Sequence, residues 1–212
     1  MTPDKIIEIV ERFERNIDVY RSSSYNETEL RVEFINPFWK ELGWDVDNES
    51  GYAHIYRDVV HEEPISSGGG SKVPDYCFRV GGMRKFFLEA KRPGLNIKED
   101  AAAAHQLRRY AWSSKLPISI LTNFEELSIY DGRLRPHASD KASKARISYF
   151  TYKDYVSKWD DIAGVFARES VLKGSFDKYA VAVNGRRGTS EVDAEFLSEI
   201  EEWRDLLADE IA

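Results

Sequence analysis

The sequence predicts an α/β fold in which helices flank a mixed β-sheet. Three observations carry this expectation: apolar residues recur at helical spacing through the first 42 residues, short β-rich runs cluster at 75–92 and 118–130, and an Ala-rich helical stretch, 97–114, separates the two strand groups. With 212 residues, 42% of them apolar and 13% aromatic, the chain can build one sizeable core, which excludes a disordered polymer.

Each element has a local reason. Thr2 is expected to cap a first helix with Pro3 at its first position, and Ile6, Ile7, Val10, Phe13 and Ile17 follow at helical spacing. A second helix is expected from Asn26, whose side chain can cap while Glu29 closes a capping box, and Gly43 ends it. On a helical projection Leu30, Phe34, Phe38 and Leu42 form one stripe, Glu27 falls in its middle, and Glu29 and Glu33 point away. A carboxylate therefore faces inward. Pro37 removes a helical hydrogen bond and predicts a kink. Residues 44–60 alternate and are rich in β-formers, predicting one or two strands, whereas 62–72 read as a loop by composition. The runs 75–80 and 85–92, joined by Gly81-Gly82-Met83-Arg84, predict a hairpin that Pro93-Gly94 closes. Leu116-Pro117 breaks the Ala-rich helix ahead of strands at 118–123 and 126–130. After Gly132 a basic tract is expected to be loop, leading to a helix around 153–169. Val192, Phe196, Ile200, Trp203, Leu207 and Ile211 then recur at four- and three-residue steps, predicting an amphipathic helix that needs a partner surface.

Charge is unevenly spread. Nine of the acidic residues, against one Arg, lie in 189–212 and give that segment −8 of the total −7, leaving +1 for 1–188. Residues 57–115 carry a local +4, so a body able to approach phosphates bears an acidic appendage. The absence of a membrane-length apolar run and of signal-peptide order at the N-terminus predicts a cytoplasmic protein with no membrane partner. A single cysteine, Cys77, forbids an internal disulfide, and four scattered histidines offer no Cys/His zinc cluster, so a metal here would need oxygen ligands.

One constellation carries chemistry. Asp75 opens one strand of the expected hairpin, and Glu89 and Lys91 lie two apart on the other, on one face of the sheet. Two acids and a lysine so placed suit a hard divalent cation, which could neutralise charge developing on a phosphodiester and lower the pKa of a bound water. Lys91 would orient that water or steady the transition state. Gly68-Gly69-Gly70-Ser71-Lys72 lacks the spacing of a phosphate-binding P-loop. Cys77 reads as packing, no histidine is assigned to catalysis, and Lys72, Arg79, Lys85, Arg92, Lys98, Arg108 and Arg109 read as solvated surface or as contacts to a phosphate backbone.

Pro74-Asp75 followed by Glu89-Ala90-Lys91 resembles the motif of the PD-(D/E)xK nuclease superfamily. Glu27 and Arg31, with Ile35, Pro37 and Leu42-Gly43-Trp44, resemble the first helix of the nuclease domains in type I restriction motor subunits and type IIG restriction-modification enzymes. Gln106 and Tyr110 resemble the Q-x-x-x-Y element of the RecB-like branch, and Ile120-Leu121-Thr122-Asn123 with Ile129-Tyr130-Asp131 is similar to the strand-turn-strand closing the sheet of such domains. The resemblance implies a restriction-endonuclease-like core acting on double-stranded DNA with Mg²⁺, or Mn²⁺ in its place. Asp75, Glu89 and the Ala90 carbonyl would be metal ligands, Glu27 a helper ligand, Lys91 the catalyst, and Gln106 and Tyr110 supports. Glu29 is the alternative to Glu27 should the helix start elsewhere, and Glu27 paired with Arg31 at i+4 is the structural alternative. The resemblance further implies a nuclease domain over 1–188 and a connector helix over 189–212 leading to absent methyltransferase and target-recognition regions, so that the chain reads as an excised fragment. Dimerisation would allow cleavage of both strands. The rival expectations are a catalytically silent binding or assembly module of the same fold, and a nuclease acting on RNA or branched DNA.

Overall fold

A computed structural model of the chain describes residues 2–64 and 73–186. Helix α1 (Asp4–Arg15) starts from Pro3 as its cap residue. Thr2 does not cap it, because its hydroxyl donates to the Val156 carbonyl (2.8 Å). A short turn α2 (Ile17–Tyr20) precedes α3 (Glu27–Leu30), where the expected capping box forms: Asn26 Oδ1 accepts from the Glu29 amide (3.0 Å) and Glu29 Oε2 accepts from the Asn26 amide (2.9 Å). Pro37 acts by a route other than a plain kink. The helix widens into a π-helical segment, Arg31–Ile35, before resuming as α4 (Asn36–Glu41). The Glu33 carbonyl, which an amide at position 37 would ordinarily engage, accepts from Arg12 Nη2 instead (2.6 Å). Gly43 ends this helix in the left-handed region (φ +84°), as its sequence position required.

Residues 44–58 are turns and one 3₁₀ turn, His54–Tyr56, and the only strand in the segment is β1 (Val59–His61). Asp45 accounts for the difference. Its carboxylate accepts from the Glu49 (2.7 Å) and Ser50 (2.9 Å) amides and winds the chain into turns despite the β-forming side chains. Strands β2 (Tyr76–Val80) and β3 (Met83–Ala90) form the expected hairpin, with a tighter turn. Gly81 and Gly82 both take positive φ (+57° and +80°), which closes the turn in two residues and draws Met83 and Arg84 into the strand. Helix α5 (Ala101–Ser113) starts at Asp100, whose carboxylate caps the Ala103 amide (2.9 Å), later than the expected onset at Ile97. Strands β4 (Ile118–Thr122) and β5 (Glu126–Asp131) lie where expected.

The tract expected to be loop ends in a sixth strand, β6 (Arg146–Thr151), paired antiparallel with β5. The expected single helix at 153–169 is instead α6 (Tyr152–Tyr155), α7 (Trp159–Phe166) and α8 (Arg168–Leu172), followed by α9 (Ser175–Arg186). The chain breaks at Ala167 because neighbouring groups are used elsewhere: the Phe166 carbonyl accepts from Trp44 Nε1 (2.8 Å) and the Arg168 amide donates to Leu42 (2.8 Å). The expected amphipathic helix over 189–212 lies outside the described residues.

The six strands stand in chain order, and every pair is antiparallel except β3–β4, which the α5 crossover makes parallel. Helices cover both faces. On one, α1, α3, α4 and α6–α9 enclose an aromatic core in which Phe78 and Phe86 stack at 4.5 Å and Phe34, Phe38, Phe124, Tyr155 and Trp159 interlock. On the other, α5 packs Leu107, Tyr110 and Ala111 on Cys77, Phe87, Leu121 and Tyr130. Among the described residues no helix is long and apolar enough to cross a membrane.

Candidate active site

The site forms where β2 begins and β3 ends. Asp75 precedes β2 and Lys91 follows β3, each just outside its strand, yet main-chain bonds hold both in place: Glu62 donates to the Asp75 carbonyl (3.2 Å) and Lys91 to the Thr122 carbonyl (2.9 Å). With Tyr76 opposite Leu88, the next residues outward are Asp75 and Glu89, as the hairpin register demands. The Asp75 carboxylate reaches across, its Oδ2 accepting from the Ala90 amide (2.7 Å). Lys91 Nζ donates to Glu89 Oε1 (2.8 Å), which also accepts from Gln106 Nε2 (2.9 Å). Gln106 Nε2 in turn lies 3.0 Å from the Tyr110 hydroxyl. Glu27 joins from α3, with the Arg92 amide donating to its carboxylate and Lys91, Asp75 and Arg31 within electrostatic reach. The residues singled out in the sequence thus converge. Arg31 does not pair with Glu27 as the structural alternative supposed, but with Asp75 (3.4 Å) and Glu62 (3.3 Å).

The electrostatics follow from burial. Glu89 is 4% exposed, and its Oε2 is buried without a hydrogen-bond partner. Desolvation first, then the charges of Asp75 and Glu27, push its pKa up to about 7 against the pull of Lys91. Glu27 is raised for the same leading reason, burial, with Asp75 adding to it. Burial disfavours the Lys91 ammonium, but Glu89, Glu27 and Asp75 together hold its pKa above the ordinary lysine value. Three carboxylates therefore share one ammonium. Among the described residues no three His, Cys, Asp or Glu side chains are already gathered as a metal cage. The side chains of Asp75 and Glu89 are turned instead toward the Ala90 amide, Arg31, Lys91 and Gln106.

Several cations in the sequence prove structural. Arg108 is buried and binds Asp140 (2.7 Å), pinning the 132–145 loop to α5, so it is neither solvated nor placed to touch a phosphate backbone. Arg79 is buried against Glu63, and Lys85 pairs with Asp177 (3.2 Å). Arg92 and Arg109 are exposed, and Lys72 lies outside the described residues. Cys77 is core, its thiol pushed up to about 12 by burial and by Glu63. Sequence reasoning gave no role to Tyr76, Asn36 or His61, which surround Arg31. The available signal was adjacency, since Tyr76 follows Asp75 and Asn36 precedes Pro37.

A mixed sheet between helical layers is consistent with a restriction-endonuclease-like core, and acid, acid and lysine stand at the ends of its adjoining strands with a helix glutamate beside them. The comparisons agree. Residues 55–137 match the family model for the type I restriction enzyme R protein N terminus, a span that includes Asp75, Glu89, Lys91, Gln106 and Tyr110 but not Glu27. The chain is 39% identical over 209 residues to the type II restriction enzyme and methyltransferase RM.Eco57I of Escherichia coli, covering 98% of this chain and 21% of that protein. The resemblance to restriction enzymes is thus shown, and the chain spans about a fifth of the length of this relative. No solved structure matches it significantly.

Proposed function

We propose that the chain is the endonuclease domain of a restriction-modification enzyme and hydrolyses phosphodiester bonds of double-stranded DNA with Mg²⁺, for which Mn²⁺ can substitute. The observation that carries this reading is the partnerless, buried Oε2 of Glu89 beside Asp75 and Lys91. A buried carboxylate oxygen without a donor is costly unless a cation meets it, and an all-oxygen donor set suits a hard divalent ion. Asp75, Glu89 and the Ala90 carbonyl would hold the cation, with Glu27 as helper. When bound, it would supply charge neutralisation at the phosphoryl oxygens and a lowered water pKa.

The chain's own groups do the rest. Gln106, steadied by Tyr110, fixes the Glu89 carboxylate, and the Ala90 amide fixes that of Asp75. Lys91, held as an ammonium, would donate a hydrogen bond that orients the attacking water or would steady a phosphoryl oxygen as negative charge grows on it. A methyltransferase region would belong to the rest of a longer polypeptide, joined through 189–212, as the fused relative suggests, and a target-recognition region would lie there too. Sequence preference would reside there, leaving this domain a weak, salt-sensitive grip on the DNA backbone.

Plasmid cleavage tests the reading. The protein should cut with Mg²⁺ or Mn²⁺, fail with chelator, and fail as Asp75→Ala or Lys91→Ala. Calorimetry showing no divalent-ion binding, with both variants indistinguishable from the parent, would favour a silent module. Faster turnover of RNA or branched DNA than of duplex would reassign the substrate.

A further inference from the structure

Arg31 opens the π-helical segment and is held from several sides. Its guanidinium lies over the Tyr76 ring (4.9 Å to the centroid) and its Nε donates to the Tyr76 hydroxyl (3.3 Å), which in turn donates to Asn36 Oδ1 (2.7 Å). Nη2 meets His61 Nδ1 (3.2 Å), and Nη1 reaches both Glu62 Oε1 (3.3 Å) and Asp75 Oδ1 (3.4 Å). Each oxygen of Asp75 is therefore engaged, Oδ2 firmly by the Ala90 amide at 2.7 Å and Oδ1 loosely by Arg31. The unequal distances matter. The amide bond opposes a cation less, because it fixes the carboxylate without adding net charge, whereas the guanidinium puts a full positive charge beside a ligand that a cation must share.

We infer that Arg31 acts as the resident counter-ion of Asp75 and thereby sets how strongly the site binds a divalent cation. The inference rests on the metal-dependent reading above. A guanidinium stacked on Tyr76 and bonded to its hydroxyl, which Asn36 holds in turn, stays in place when a cation arrives and remains as a like charge near the site. Its other effect, steadying the Asp75 carboxylate, is weaker, because a 3.4 Å contact is a poor hydrogen bond. Charge should then prevail over positioning, and removal of Arg31 should tighten cation binding rather than loosen it.

The test is Mn²⁺ titration of the full chain by calorimetry in the absence of DNA. Arg31→Gln, which removes the charge, should lower the Kd for Mn²⁺ about tenfold. Arg31→Lys, which keeps the charge without the fork, should stay within about twofold of the parent. Arg31→Met retains the aliphatic stem over Tyr76 and serves as the neutral variant should Arg31→Gln fail to fold by circular dichroism. An unchanged or higher Kd in the neutral variants would overturn the inference while leaving the metal-dependent reading intact. Unfolding of both neutral variants would assign Arg31 to the core and overturn it as well. A parent that binds no Mn²⁺ would overturn the metal-dependent reading itself, and this inference with it.

Discussion

Glu89 is better accommodated in the folded chain as the neutral acid, because burial and Asp75 oppose its ionisation more than Lys91 supports it. The consequence for stability has a definite sign. With its pKa raised from the ordinary 4.5 to about 7, the folded state binds a proton that the unfolded state has already lost between those values. Stability from this group is thus complete below pH 4.5 and is lost as pH rises to about 7, where it levels off. The loss is on the order of 3 kcal/mol for a group this buried. Glu89→Gln should remove that slope. Denaturant unfolding across this range without divalent ions should find the variant as stable as the parent at low pH and more stable by about that amount above neutrality, and without nuclease activity. Equal pH profiles would contradict the assigned burial cost. At this scale the acids and Lys91 were legible because strand periodicity is local: Glu89 and Lys91 share a face whatever surrounds them. Arg31 and Arg108 were not. A long cationic side chain finds its partner through tertiary contacts, and Arg108 lies buried against Asp140, 32 positions away.

The π-helical segment shows how one residue reshapes an element. Pro37 supplies no amide to Glu33, the carbonyl turns to Arg12, and Arg12 also lies over the Phe34 ring at 4.6 Å, tying α1 to the helix that bears Glu27 and Arg31. Arg12→Ala should therefore cost about 1 kcal/mol, the lower end of the penalty for an acceptor left unpaired, because the Glu33 carbonyl is only part-buried. In a Pro37→Ala background the cost should shrink, because an amide at position 37 gives Glu33 a partner. A double-mutant cycle on unfolding free energies measures this coupling, and strict additivity would refute it. A second element-level prediction concerns Gly132. A Cβ there would stand 2.3 Å from the Leu116 carbonyl oxygen and 2.7 Å from Ala111 Cβ, both in the frame that joins α5 to β4 and β5. Gly132→Ala should destabilise by about 2–3 kcal/mol, as overpacking against backbone does, and a melt within a degree of the parent would contradict it. Elements whose signals are local, namely the Asn26 capping box, the Gly81-Gly82 turn and the strands around Asn123, could be read in the sequence. Two of the misread elements failed for opposite reasons. Residues 44–58 have strand-like side chains but turn-forming hydrogen bonds to Asp45, whereas β6 has every residue half-exposed at the sheet edge, so no alternation of burial marks it.

At the scale of the molecule, the one parallel pair decides where the site lies. The α5 crossover carries the chain from the end of β3 to the start of β4, so Gln106 and Tyr110 pack over the face that Glu89 occupies. The opposite face holds the aromatic core, and α3 brings Glu27 round the strand ends from that side. Among the described residues this yields one acid-acid-lysine site per chain. If this site hydrolyses one phosphodiester at a time, as proposed, cutting a duplex needs a second copy or a repositioned one. With supercoiled plasmid and Mg²⁺ the nicked circle should therefore precede the linear form. The rate of the second cut should rise more steeply than linearly with protein concentration, as it must when two chains meet on one DNA. If exposed cations such as Arg92 and Arg109 contact the phosphates, raising the salt should slow both steps along a straight line on logarithmic axes, because each such contact would release counterions. Linear product formed without a nicked intermediate, at a rate strictly proportional to protein, would mean that a single chain cuts both strands in one encounter, and would require a second catalytic centre in the polypeptide.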